Sequence, residues 1–481
     1  MTRFLILVLL MAVTAVAAQV SVPAVSNAPS SVTFTKDVLP ILQNNCQVCH
    51  RPGEMGPMSF LTYESTRPWA KAIKNAVMTK KMPPWFADPR YGEFRNAPQL
   101  TEADAETLVA WADSGAVRGD EKDKPVPAQW TDGWRIKPDV IISMPDPYTV
   151  PAKGKGEVKG FIIKSPFPQD TWVTSIEIQP GDRSVVHHVA VQTEPPTQPS
   201  FPPAGMGVGK LITPPFLPIP VTDRRAPSDP QGNSRPYYGG PPDRNFATME
   251  AIYVPGIAPM DFRVHNAAKL IRGGSDIRIE MHYTPNGTAT KDLTKVGFTV
   301  AKTLPRRQFV TLAPTTLVDT RNFRIPAGHS NYETSGELTF TGNADLVWFM
   351  PHMHLRGKDM TYSLIYPNGR TETLLSARFD FYWQLGYDVA DPIRVPKGTK
   401  MVVVAHYDNS ANNRNNPDPT QDVLWGGLTS QEMMIPWFGV IIDRNADPEK
   451  IVSYQSKGVA IPNLTFSPFM SRALSVLLDK K

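Results

Sequence analysis

Residues 345–358 read DLVWFMPHMHLRGK. The apolar run 345–350 reads as a strand, and residues two apart on a strand point to the same face. His352 and His354 can therefore reach one point in space. Imidazole suits copper, zinc, iron and nickel alike, so the pair allows a metal site without naming the metal. Two histidines packed for structural reasons would show the same spacing.

The same strand pattern extends outward in both directions. Toward the C-terminus, strands are expected at 336–340, 344–350, 361–366, 371–375 and 401–406. Asn368-Gly369 lies between two of these runs, a strong hairpin signal. A polar loop (408–417) and the stretch 425–434 follow. Toward the N-terminus, strands are expected at 158–163, 172–178, 185–192, 276–283 and 296–300, separated by Gly, Pro, Asn or Asp. The chain has 49 prolines in 481 residues, which favours strands joined by turns over helices. Fourteen of them fall in 195–242, read as a surface loop or insertion without regular structure. The expected class is mainly β: a small all-α domain (32–120), a linker (121–135), and two antiparallel β-sandwich domains, 136–302 and 303–470.

Arg3, the apolar run 4–16 and the small residues Val16-Ala17-Ala18 read as a secretory signal peptide, 1–18. No later stretch reaches 18 apolar residues, so the mature chain is expected to be exported, periplasmic or secreted, with no membrane span. A net charge of +5 with no Lys/Arg block makes no case for nucleic-acid binding.

An exported chain usually spends cysteines on structural disulfides, yet only Cys46 and Cys49 are present. Together with the next residue they form C-x-x-C-H, the attachment signature of haem c, in which both thiols bond the porphyrin and His50 supplies an axial ligand. A thiol–disulfide or zinc site is the alternative. Helical patterns flank the motif: apolar residues at 37–42, and a capping-box start at Thr101-Glu-Ala-Asp104 with Gly115 as the stop. The other axial ligand should be a methionine, because no further histidine occurs before His187. Candidates are Met55, Met58, Met78 and Met82. The stretch around Met82-Pro83 resembles class I cytochrome c domains, where a Met beside Pro approaches the iron, which favours Met82.

Of the nine histidines, five form three features: His187-His188, His282-Tyr283 and His352-x-His354. Adjacent strand residues face opposite ways, so His187 and His188 could serve one ion only if the strand bulges, ends or twists there. Taken in order, with Gly426-Gly427 and Glu432-Met433, these features resemble the copper type II, ascorbate-dependent monooxygenases. That family includes the peptidylglycine α-hydroxylating and dopamine β-monooxygenases. The resemblance covers about 136–470. It implies two jelly-roll-like β-sandwiches with one copper ion each. The first copper would be held by His187, His188 and His282, the second by His352, His354 and Met433. A thioether favours Cu(I), the state that must meet dioxygen, while three imidazoles suit a copper that passes electrons.

The resemblance further implies insertion of one oxygen atom from O2 into a C–H bond of a small-molecule substrate at the His352, His354, Met433 centre. Ascorbate or a periplasmic redox protein would be the electron donor, with the haem of Cys46, Cys49, His50 and Met82 relaying single electrons. The departures are informative. There is no spare cysteine for the disulfides of animal members. Met350 and Trp437 stand where the peptide-hydroxylating member has substrate-anchoring arginine and tyrosine, so a peptide C-terminus would find neither cation nor hydroxyl. An electron-transfer or copper-binding protein without hydroxylase activity, or zinc at His352-x-His354, are the rival readings. His406, before Tyr407-Asp408-Asn409-Ser410, could support the second copper's ligands or touch substrate, although an ordinary buried or surface histidine is the preferred reading; His265 and His329 are expected to be ordinary.

Overall fold

Thr101 opens the helix Glu102–Asp113 with a reciprocal cap. Its hydroxyl accepts from the Asp104 N–H at 3.1 Å, and the Asp104 carboxylate accepts from the Thr101 N–H at 3.0 Å. Gly115, at φ +90°, lets the chain turn away just past the helix end. In this computed structural model the described residues are 32–98, 100–131, 133–154, 156–194, 249–314, 317–426 and 428–454. The expected signal peptide, the proline-rich segment 195–242, Gly427 and 455–470 lie outside them.

Glu102–Asp113 packs with Leu39–Asn45 and Ala70–Met78 around Phe34, Leu42, Ile73, Leu108 and Trp111, an apolar core separate from that of the β-structure. The helix Ala70–Met78 is not among the expected elements. Its buried Ala70, Ile73 and Val77 recur at helical spacing, but over only nine residues. Beyond it the chain leaves the helices and straps onto the C-terminal strands. The Asp88 N–H donates to the Ser376 carbonyl at 2.7 Å and the Arg95 N–H to the Asp388 carbonyl at 2.8 Å. Trp85 and Phe94 lie against Tyr387, with ring centroids 5.0 and 5.5 Å away.

The rest is mostly strand. The strands foreseen in sequence occur with small changes in length, such as Thr171–Gln179, Asp276–Tyr283 and Lys400–Tyr407. The Asn368-Gly369 hairpin joins Gly357–Ile365 to Thr371–Arg378. A four-stranded sheet (Glu157–Ile163, Asp276–Tyr283, Val186–Glu194, Ala251–Tyr253) belongs to the first half, and a five-stranded sheet to the second. One nine-stranded sheet passes through both halves, and a single apolar core runs along it.

The halves are thus less separate than two antiparallel sandwiches would be. Arg307–Leu312 pairs in parallel with Ala267–Ile271, joining first-half to second-half strands. The intervening chain is long enough for the crossover a parallel pair needs, and the pairing covers two edges that would otherwise stay open. The strand Ile435–Asp443, central to this sheet, was not foreseen. It is buried on both faces almost throughout, so it shows no alternation. Among the described residues no helix is long and apolar enough to cross a membrane.

Candidate functional site

The bulge that His187 and His188 require is present. The register of Val186–Glu194 against Asp276–Tyr283 shifts between Val186 and His188. The two Nδ1 atoms lie 3.0 Å apart. His282 is the cross-strand partner of His188, and their ring centroids are 3.6 Å apart. Two residues earlier on the same face, Glu280 places Oε1 3.2 Å from His282 Nε2 and receives Arg278 Nη2 at 3.2 Å. Burial, helped by nearby His282, pushes His187 down to about 4 and holds His188 well below the usual imidazole value. Both are therefore neutral at physiological pH, with lone pairs available to a metal.

His352 closes the strand Ala344–His352 opposite Ile435, and His354 lies two residues past its end. Their rings stand at 90° with centroids 5.4 Å apart. His352 Nδ1 is 2.7 Å from Gln384 Oε1, and His354 Nδ1 is 3.0 Å from the Gln431 carbonyl. With each Nδ1–H donated, both Nε2 atoms keep their lone pairs. Burial lowers His352 and pushes His354 down to about 3.

Met433 is fully buried, and its carbonyl accepts from the Tyr407 hydroxyl at 2.8 Å. Glu432 ties this end together. Its carboxylate accepts from the backbone N–H groups of His354 (2.8 Å), Arg356 (2.7 Å) and Met433 (3.3 Å). Burial pushes the Glu432 carboxyl up to about 8, against the pull of these donors and of the Arg356 guanidinium.

The two histidine sets lie within electrostatic reach of each other where the halves of the β-structure meet. Burial dominates His352, but Glu280 raises it and His282 lowers it, while His352 in turn depresses His188. The turn before Tyr387 spans the gap. Phe381 lies 6.4 Å from the His354 ring, Tyr382 5.9 Å from the His187 ring, and the two aromatics 5.6 Å from each other.

The sets are gathered but not closed. Among the described residues no three His, Cys, Asp or Glu side chains come together tightly enough to hold a metal ion. His282 stacks on His188 and offers Nε2 to Glu280, while the expected third donor of the second set is the thioether of Met433. The donor chemistry fits copper nonetheless: buried or half-buried imidazoles in both sets, and a buried sulfur at Met433.

Cys46 and Cys49 are unpaired, half-buried thiols, and burial pushes them up to about 12 and about 11. His50 stacks on Phe60 at 4.5 Å and directs Nδ1 to the Met58 carbonyl at 3.2 Å, leaving Nε2 free. Gly56 is needed beside it, since a Cβ there would come within 2.6 Å of His50 Nδ1. Two thiols and an oriented imidazole on one turn fit haem c. Met82 is half-buried just past Ala70–Met78, with its N–H on the Ala76 carbonyl, whereas Met78 is 62% exposed.

Sequence reasoning missed Glu280, Gln384 and Tyr382, and quoted Glu432 only as context. Period-two alternation from His282 could have found Glu280. Gln384 and Tyr382 sit in a turn without a motif. His406 lies between Asp359 (2.6 Å) and Glu333 (3.2 Å), a cross-strand arrangement. His265 meets Arg95 at 3.2 Å, and His329 accepts from the Asn331 N–H.

No protein-family model and no curated protein matches the chain. Among solved structures, that of infectious bursal disease virus Gt strain covers 74% of this chain and 90% of its own, at 9% identity and a TM-score of 0.17. The infectious bursal disease virus VP2 subviral particle covers 72% and 89%, at 10% identity and a TM-score of 0.16. Likeness at this level carries no argument about fold or function.

Proposed function

We propose that this chain is an exported, copper-dependent monooxygenase of the type II, ascorbate-dependent kind, fused to a cytochrome c-like domain. Its first copper would be held by His187, His188 and His282, its second by His352, His354 and Met433, and its haem by Cys46, Cys49, His50 and Met82. When bound, these groups would supply single-electron transfer and the activation of dioxygen that inserts one oxygen atom into a substrate C–H bond.

The chain's own residues prepare that chemistry. Gln384 and the Gln431 carbonyl orient the two imidazoles of the second set through their Nδ1–H groups. Glu432 holds the His354 and Met433 backbones in one frame. Met350 and Trp437, cross-strand partners and both buried, offer a substrate carboxylate no cation or hydroxyl. The substrate class favoured is a small apolar or aromatic compound.

The observation that supports this reading is the meeting of His187, His188 and His282 with His352 and His354 at one junction, across long intervals of sequence. The deciding experiment loads the full chain with copper and haem, reduces it, and supplies labelled dioxygen with a panel of apolar substrates. Label in a hydroxylated product is expected. Copper and haem uptake without oxygen consumption would favour pure electron transfer.

A further inference from the structure

We infer that the outward face of the helix Ala70–Met78, with the residues on either side of it, is a docking surface for an anionic phospholipid bilayer. The inference is independent of the function proposed above, since it involves neither metal nor haem.

Residues 67–81 read RPWAKAIKNAVMTKK and carry five Lys or Arg and no Asp or Glu. Ala70, Ile73 and Val77 turn into the helical core. On the other side Arg67, Lys71, Asn75 and Met78, three and four residues apart, form one exposed stripe. Lys80 and Lys81 extend it past the helix end and are exposed too. Lys74 is paired with Asp113 at 2.6 Å. Among the described residues the other four cations meet no carboxylate, so their charge is available to a partner.

The helix packed beside it has the opposite sign. Glu102–Asp113 presents Glu102, Glu106 and Asp113 to solvent and contains no Lys or Arg. Because the two helices share a core, their outward faces make the unit dipolar, and a dipolar body turns its positive side to an anionic surface. Two observations favour a bilayer over an acidic protein. The four cations stand on long stems along a convex helical face, which suits a fluid array of phosphates better than carboxylates fixed in place. Trp69 and Met78, 40% and 62% exposed, are large apolar side chains that this end of the unit leaves in solvent. At a bilayer the indole settles at headgroup level and the thioether leaves water beside it. Among the described residues no helix is long and apolar enough to span, so the contact is peripheral.

The test sediments the full-length chain with vesicles, either of phosphatidylcholine alone or of phosphatidylcholine and phosphatidylglycerol in equal parts. Binding is expected only to the second, and it should weaken as salt rises, since exposed charges are screened beyond about 10 Å at 0.1 M. Lys71→Gln and Lys81→Gln should each weaken it about fivefold, the factor that one cation near an anionic surface contributes. Lys295→Gln and Lys397→Gln remove the same charge from exposed positions in the β-structure and should leave binding unchanged. Trp69→Ala should weaken vesicle binding but not retention on immobilised polyglutamate, which offers no apolar phase. All five side chains are exposed, and the melting temperature of each variant is compared with that of wild type. No binding to the anionic vesicles, or binding that Lys71→Gln and Lys81→Gln leave intact, overturns the inference. Equal losses in Lys295→Gln and Lys397→Gln also overturn it, because they mark a response to net charge alone. Vesicle binding that Trp69→Ala leaves intact overturns the bilayer and assigns the face to an acidic protein. None of these outcomes alters the proposed function.

Discussion

The Glu432 carboxylate accepts the backbone N–H of His354 at 2.8 Å, although 78 residues separate them. Because the same carboxylate also bonds Arg356 and Met433, a single buried side chain joins the H-x-H segment to the thioether that follows it. Replacing it by alanine strands three buried N–H groups. Glu432→Ala is expected to cost about 3 kcal/mol or more, since each orphaned buried donor costs about 1–3 kcal/mol. Denaturant unfolding of metal-free protein measures this, and a loss below about 1 kcal/mol would rule out the bracing role.

The pH dependence of stability carries a signature of the same group. Burial raises the Glu432 carboxyl from 4.5 to about 8 in the folded chain. Its contribution is fully present below 4.5, where both states are protonated. As pH rises toward 8, the unfolded chain releases the proton and the folded chain keeps it, so stability falls across that window. The difference between wild type and Glu432→Gln, recorded as melting temperature of metal-free protein between pH 4.5 and 8, should therefore shrink or reverse with rising pH. A wild-type advantage that grows with pH would contradict this assignment.

Met433→Leu keeps the volume of the side chain while removing its sulfur. Under the proposed function it should lower bound copper from two ions per chain to one and abolish sulfur scattering in the X-ray absorption of the Cu(I) form. His282→Ala should also lose one copper but retain the sulfur signal. If both variants keep that signal, Met433 is not a ligand.

The strap 85–96 should hold the helical unit to the C-terminal strands. Trp85 and Phe94 contribute ring contacts with Tyr387, while the helices keep a core of their own. The double substitution Trp85→Ala, Phe94→Ala is expected to cost about 3 kcal/mol of docking, given the size of large-to-small aromatic truncations. Calorimetry should then resolve two unfolding transitions. A single transition at the wild-type temperature would show that the strap is dispensable.

The sequence by itself determined what short-range physics encodes. Period-two alternation and the Asn368-Gly369 turn marked most strands, and the Thr101–Asp104 cap marked a helix start. The need for a bulge at His187-His188 followed from the pleat alone, and the register shift between Val186 and His188 supplies it. C-x-x-C-H, H-H, H-x-H and E-M are local spacings, so they too were legible. What the tertiary structure decided depends on contacts between residues far apart. The parallel pairing of Arg307–Leu312 with Ala267–Ile271 makes one sheet of two expected domains. Ile435–Asp443 escaped notice because burial on both faces erases alternation. Gln384 beside His352, Glu280 between the histidine sets, and Arg183 on Glu54 belong to no motif. Each is selected by burial, which makes an unpartnered polar or charged group costly, and only the folded chain shows which groups are buried together.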